Sequence, residues 1–140
     1  MQFTVYLYHV IFILTTLIFI QNAHSQDTQL NFYKDIEGKT GSKGDIISIH
    51  IQTFINEDSL FLSTYDALAP VDITLEDSKF DGSFMSYLYN LSAGDSVSFK
   101  IPVDSYRVHN IPSIGDSGTF IKYIVQVYDL NDPVDFKIKK

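Results

Sequence analysis

The stretch that most constrains this chain runs from Gly82 to Pro102 and reads GSFMSYLYNLSAGDSVSFKIP. Phe84, Leu88 and Leu91 stand at i, i+4 and i+7, the spacing that lines one face of a helix, so Gly82 to Leu91 is predicted as a short amphipathic helix. Ala93-Gly94-Asp95 then breaks the helix, with Gly94 suited to a positive φ near its C-terminal end. Val97, Phe99 and Ile101 alternate with Ser98 and Lys100, the period-2 pattern of a strand with one buried face. Pro102 lacks the N–H that a sheet ladder needs and marks the strand's end. A helix feeding straight into such a strand implies a sheet wrapped around that helix, with a pocket where the two meet.

The rest of the chain supplies the sheet. Ile46 to Ile55 places Ile47, Ile49, Ile51, Thr53 and Ile55 on one face and Ser48, His50 and Gln52 on the other. The Ile face is expected in the core. Asn56-Glu57-Asp58-Ser59 has turn chemistry, and Leu60 to Tyr65 returns as the second arm of a hairpin. An edge strand is expected around Leu30 to Tyr33 and a short strand from Val71 to Leu75, after a bend over Ala67 to Pro70. Val103 to Ser117 has loop composition, with Pro112 and Gly115, and a loop of that length is often functional. Phe120 to Leu130 is the last strand, with Tyr123, Val125 and Val127 on one side, and the polar tail after Asn131 is expected to fray.

Residues 1–25 contain no Asp, Glu, Lys or Arg, so the formal net charge of −7 belongs entirely to residues 26–140. Val10 to Ile20 has the length of a signal h-region, and Ala23-His24-Ser25 places small residues where a signal peptidase reads. A cleaved signal peptide over 1–25 is therefore expected, with Gln26 as the new N-terminus. The alternative is an uncleaved N-terminal membrane anchor, since Phe3 to Ile20 reaches the short end of a spanning helix. Either reading makes residues 26–140 one exported domain, in the periplasm or cell envelope or secreted. With no Cys, disulfides, thiolate chemistry and a lipid-bearing cysteine are excluded. The acidic balance offers no Lys/Arg cluster for phosphates, which argues against nucleic acid.

Catalytic groups of the usual kinds are sparse. His50 on the polar strand face and His109 in the long loop are expected to be solvated and are too few for a metal site. Glu57 and Asp58 lie in a turn, without the ladder of oxygen ligands a calcium loop requires. No G-x-S-x-G or S-x-x-K setting occurs, so hydrolysis has no support, and no cofactor or metal is implied. What stands out is 11 Phe and 9 Tyr, of which Phe61, Phe80, Phe84, Tyr106 and Tyr123 fall where they could meet. They either fill a small core or line an open pocket.

From Gly44-Asp45 through Phe61, the helix, the block Gly94-Asp-Ser-Val-Ser-Phe-Lys-Ile-Pro102, Ile111-Pro112 and the closing strand Tyr123 to Val127, the chain resembles the FK506-binding type of peptidyl-prolyl cis–trans isomerase. The resemblance spans roughly residues 30 to 130. It implies an α+β fold: an antiparallel β-sheet half-wrapped around one short α-helix, with a hydrophobic pocket between them. It also implies pocket roles. Phe61 matches the family's pocket phenylalanine, Phe84 stands for the tryptophan of the pocket floor, and Tyr123 stands for a phenylalanine. Phe80 and Asp81 occupy the family's valine–isoleucine pair, whose second backbone N–H holds a substrate carbonyl. The family's loop tyrosine falls at Arg107 in an ungapped match, with Tyr106 beside it. Ile51 replaces a strand tyrosine, Leu62 replaces the pocket aspartate, and Ile111 is carried over as a substrate contact.

On that resemblance the expected function is isomerisation of X–Pro bonds in folding envelope or secreted proteins, with Phe61, Asp81, Phe84, Tyr106 and Tyr123 as the catalytic set. Ile51, Leu62, Phe80 and Ile111 would bind the substrate. The expected partners are proline-containing polypeptides, and the chain is expected to act as a monomer. The alternative is a non-catalytic chaperone or peptide-binding module using the same groove. A structural β-sandwich of adhesion type has no place for the central helix.

Overall fold

The computed structural model describes residues 30–139, so the expected signal peptide and its cleavage site lie outside the described residues. Six strands form one antiparallel sheet: β1 (Asn31–Lys34), β2 (Ile46–Ile55), β3 (Ser59–Ser63), β4 (Val71–Thr74), β5 (Ser96–Pro102) and β6 (Phe120–Asn131). Among the described residues three short α-helices accompany them: α1 (Phe84–Leu88), α2 (Val103–Val108) and α3 (Pro133–Lys139). The strand order is β1-β5-β6-β2-β3. The far side of β2 is shared, with β3 opposite residues 52–55 and β4 opposite residues 46–49. This is the expected α+β architecture.

The core follows from period-2 alternation carried across paired strands. On β5, Val97, Phe99 and Ile101 are buried, and the register sets them opposite Val125, Tyr123 and Ile121 of β6. On β2, Ile47, Ile49, Ile51 and Thr53 are buried, with Ile51 opposite Val125 and Thr53 opposite Tyr123. Neighbouring side chains therefore form continuous apolar rows against α1, whose Tyr87 and Leu88 are buried beneath it. Fully burying a side chain such as Phe99 stabilises the fold by about 3 kcal/mol.

The helix is shorter than its apolar pattern. Gly82 has φ +79°, outside the helical region, and Ser83 takes the cap, its Oγ accepting from the Ser86 N–H at 3.4 Å. Leu91 is fully buried although it lies beyond the helix end. Spacing alone cannot reveal where backbone geometry stops following it.

Three expectations are corrected. Residues 103–108 are helical rather than loop: Val103 and Tyr106, one turn apart, are both buried. Asp104 and Arg107 sit at the ends that suit their charges. One turn is too brief a pattern to stand out from loop composition. The tail folds as well. Pro133 opens α3, where a missing N–H costs nothing, and the Asp132 carboxylate accepts from the N–H groups of Val134 and Asp135 at 2.8 and 2.9 Å. His50 is buried rather than solvated, because the chain after β3 folds across the second face of β2. The His50 ring stacks on Tyr65 at 4.4 Å, and its Nδ1 lies 3.0 Å from the Thr64 hydroxyl.

The turn into β5 is built around a buried acid. Gly94 takes φ +94°, and a Cβ there would meet the Ile36 side chain at 3.2 Å. Asp95, 1% exposed, accepts from the Ile36 N–H and the Ser92 N–H, each at 2.7 Å. One carboxylate thus ties the segment after β1 to the turn that launches β5. Asp95→Ala would leave two N–H groups without their ionic acceptor. The expected cost is about 3 kcal/mol in urea unfolding, and a loss below about 1 kcal/mol would contradict this role.

Candidate functional site

A cleft of about 560 Å³ opens where α1, α2 and β3 meet the β2–β6 pair. The sheet contributes Ile51 and Thr53 from β2 and Ile121 and Tyr123 from β6. Phe84 enters from α1 and Tyr106 from α2. Phe61 and Leu62 come from β3, and Pro112, Ser113 and Ile114 from the loop after α2. The strand partners share a wall because β2 and β6 pair with Ile51 opposite Val125 and Thr53 opposite Tyr123. β3 is bulged, with Thr53 opposite Leu62 and Phe54 opposite Leu60, so Phe61 is the unpaired extra residue. Phe61 is 57% exposed and Leu62 49%.

The aromatic rings are held by one another. Phe84 lies 4.9 Å from Tyr123 and 5.8 Å from Phe99, and Tyr123 stacks on Phe99 at 5.3 Å. The hydroxyls of Tyr106 and Tyr123 are 3.0 Å apart. The remaining polar side chains of the lining are Thr53 and Ser113, so the surface is apolar with a few hydroxyls and no charge. Burial raises the Tyr106 hydroxyl pKa well above the ordinary phenol range, and the neighbouring Tyr123 raises it further. Burial raises Tyr123 as well, against a smaller opposing effect of its bond to Tyr106. Both phenols therefore hold their protons and remain hydrogen-bond donors.

Of the residues singled out from sequence, Ile51, Phe61, Leu62, Phe84, Tyr106 and Tyr123 come together on this cleft. Phe80, Asp81 and Ile111 do not line it. Phe80 stands edge-on to Tyr106 at 5.7 Å and stacks on the exposed His109 at 4.5 Å. Asp81 is exposed and borders two other depressions. Ile111 is half-buried against the core, its N–H donating to the Tyr106 carbonyl at 2.9 Å. That bond closes the end of α2 and hands the cleft to the next three residues. Sequence reasoning missed Thr53, Pro112, Ser113, Ile114 and Ile121. Thr53 and Ile121 were within reach, since each lies two places from a chosen residue on the same strand face. Loop residues 112–114 carry no periodic signal.

Among the described residues no group of three or more His, Asp or Glu side chains gathers as a metal site would require. No protein-family model matches the sequence, and no curated protein matches it. Similar folds are found among solved structures. FkpA from Escherichia coli superposes with a TM-score of 0.58 at 17% identity, over 74% of this chain and 47% of that one. The N-terminal domain of FKBP42 from Arabidopsis thaliana gives 0.57 at 14% identity, over 74% and 85%. A multi-domain immunophilin from Arabidopsis thaliana gives 0.55 at 15%, over 73% and 42%. The chain thus spans about half or less of two of these proteins, and its fold is FKBP-like.

The raised phenols set a pH dependence. Below about pH 10 both folded and unfolded chains keep these protons, so stability does not depend on them. Above it the unfolded chain releases protons that the folded one retains, so stability falls as pH rises. Followed by near-ultraviolet absorbance, part of the tyrosine is expected to ionise only when the protein unfolds in alkali, and Tyr106→Phe should shrink that late fraction. Ionisation of all the tyrosine in the ordinary phenol range, with the protein still folded and no late fraction for Tyr106→Phe to remove, would contradict a buried Tyr106 hydroxyl.

Proposed function

We propose that the cleft binds the X–Pro segment of an extended polypeptide and accelerates its cis–trans isomerisation. The observation that carries this reading is an open, uncharged cleft of about 560 Å³ lined by Phe61, Phe84, Tyr106 and Tyr123 on an FKBP-like fold. Its size falls in the range of small-ligand pockets, enough for a proline ring with neighbouring apolar groups.

Rotation about a peptide bond crosses a barrier of about 20 kcal/mol because it breaks amide resonance. No nucleophile, base or metal is needed to lower that barrier. The twisted amide has less charge separation than the planar one, so a water-poor apolar wall favours it, and a fixed donor can hold a flanking carbonyl. Ile51, Phe84 and Tyr123 would supply the apolar wall, and the phenolic hydroxyls the donor. Leu62 and Phe61, exposed at the rim, would favour apolar residues beside the proline, at roughly 25 cal/mol per Å² buried.

One observation favours a second reading, in which the same groove binds without catalysis. Leu62 stands where the resemblance expects an aspartate, so the rim offers apolar area but no carboxylate to steady the substrate. The protein then acts as a holding module for apolar, Pro-containing segments. Export through residues 1–25, action on envelope or secreted chains, and a monomeric state complete the proposal.

A proline-isomerisation assay on Leu-Pro and Phe-Pro peptides separates the two. Wild-type protein is expected to accelerate the exchange, and Phe61→Ala to lower the rate several-fold by removing an aromatic wall. Leu62→Asp should raise the rate if a polar contact matters more than apolar rim area. A wild-type rate equal to the uncatalysed one, with peptide binding that Phe61→Ala abolishes, would reject the enzyme and leave the binding module.

A further inference from the structure

The hydroxyls of Tyr106 and Tyr123 form a pair whose chemistry goes beyond that of an apolar pocket. Tyr123 occupies a position where the family resembled carries phenylalanine, so its hydroxyl is an addition that apolar packing does not require. It lies 3.0 Å from the Tyr106 hydroxyl, and either oxygen could accept. Two phenols bring two O–H donors, and the bond between them uses one. Among the described residues no other hydrogen bond involves either hydroxyl, so the pair keeps one O–H to give away. Both rings line the same cleft, and the surrounding wall is apolar. The pair therefore offers one donor to a ligand acceptor.

The two rings are not equivalent. Tyr123 sits mid-strand on β6, flanked by Phe84 at 4.9 Å and Phe99 at 5.3 Å, so packing on both sides fixes its orientation. Tyr106 sits on the six-residue α2 and meets only the edge of Phe80 among the aromatic contacts of the described residues. Tyr106 is the more deeply buried of the two, but Tyr123 is the ring clasped between two aromatic faces and serves as the anchor. We propose that Tyr123 is a positioning residue whose hydroxyl donates to the Tyr106 oxygen and thereby directs the Tyr106 O–H at a tertiary-amide carbonyl in the cleft.

This order of donors has a chemical consequence. A hydroxyl that accepts one hydrogen bond becomes a better donor of the next, and the effect is largest where water is excluded. Burial that raises both pKa values keeps the relay protonated and neutral. The unit selects for an acceptor, such as the carbonyl preceding or following a proline nitrogen, and against a ligand that presents an N–H at the same point. At that point such an N–H would meet the Tyr106 O–H donor to donor. The proposal rests on the reading of the cleft as an X–Pro site, but its chemistry asks only for a tertiary amide.

The test uses the full chain as wild type, Tyr123→Phe, Tyr106→Phe and the double variant, with N-acetylpyrrolidine and a Leu-Pro peptide as probes. NMR of the phenolic hydroxyl protons, with the ring carbons beside them, reads the relay directly. In wild type a slowly exchanging hydroxyl is expected, and N-acetylpyrrolidine should shift the Tyr106 signals. In Tyr123→Phe the slow exchange should disappear and amide affinity should fall about threefold to tenfold, the worth of one ordinary hydrogen bond, while urea unfolding changes little. The double variant should bind no more weakly than Tyr106→Phe, because a positioning hydroxyl with nothing to position contributes nothing. Equal binding by wild type and Tyr123→Phe, or a loss from Tyr123→Phe just as large when Tyr106 is already Phe, would overturn the proposal. If N-acetylpyrrolidine behaves as expected but the Leu-Pro peptide is neither bound nor isomerised, the X–Pro reading fails and the relay stands. If wild type shows no shift with either probe, the relay fails too.

Discussion

Everything in this structure depends on Phe99. Its ring is 1% exposed and stacks on Tyr87 of the helix at 4.2 Å and on Tyr123 of the neighbouring strand at 5.3 Å. One side chain thus joins α1 to the sheet and fixes the back of the cleft at the same time. Phe84 leans on the same pair from the helix side. Aromatic contacts of this kind add about 1 kcal/mol each beyond the area they bury, and their geometry restricts where the rings point. The floor of the cleft is consequently the outer surface of the core, and the loop residues Pro112, Ser113 and Ile114 close it at one side. Stability and recognition draw on one stack, so a change that loosens the core also blurs the site.

The ends of the fold are secured by different means. Asp95 holds the segment after β1, Asp132 caps α3, and Asp104 accepts from Ser117 and Gly118 to close the loop beyond α2. At the turn between β2 and β3, Glu57 takes Lys100 and Lys122 from the two adjoining strands. Glu57 and Lys100 are exposed and Lys122 is half-buried, and ion pairs of this type contribute little to stability. Their effect is local: they hold the turn against β5 and β6. Several of the described carboxylates are thus engaged by backbone N–H groups and lysines.

How far the sequence could be read depends on whether periodicity or geometry decided the outcome. The β2 boundaries, the β5 alternation and the positive φ of Gly94 were legible because each is a local pattern with one physical solution. The convergence of Phe61, Phe84, Tyr106 and Tyr123 followed from a family resemblance, since nothing in their spacing brings them together. His50 went unread because its burial comes from residues 64 and 65 folding back over β2, a tertiary event. Helix α2 was hidden by its length: six residues offer a single pair of buried positions. Ile111 adjoins Pro112 of the cleft, and Phe80 and Asp81 stand within four places of Phe84, yet none of the three lines it, and only backbone geometry separates them. The tyrosine pair could be suspected from an extra hydroxyl at Tyr123, but its partner could not be named without coordinates.

The central claim is that the helix–sheet junction leaves an open aromatic cleft that takes a proline-containing chain. The most direct measurement is a map of NMR shift changes on titrating a short Leu-Pro peptide into the isotopically labelled protein. The changes should gather at Ile51, Phe61, Phe84, Tyr106, Ile114 and Tyr123, with the outer face of the sheet around His50 and Tyr128 unmoved. Changes centred on that outer face, or on the depression beside Phe32 and Asn90, with the cleft silent, would contradict the claim.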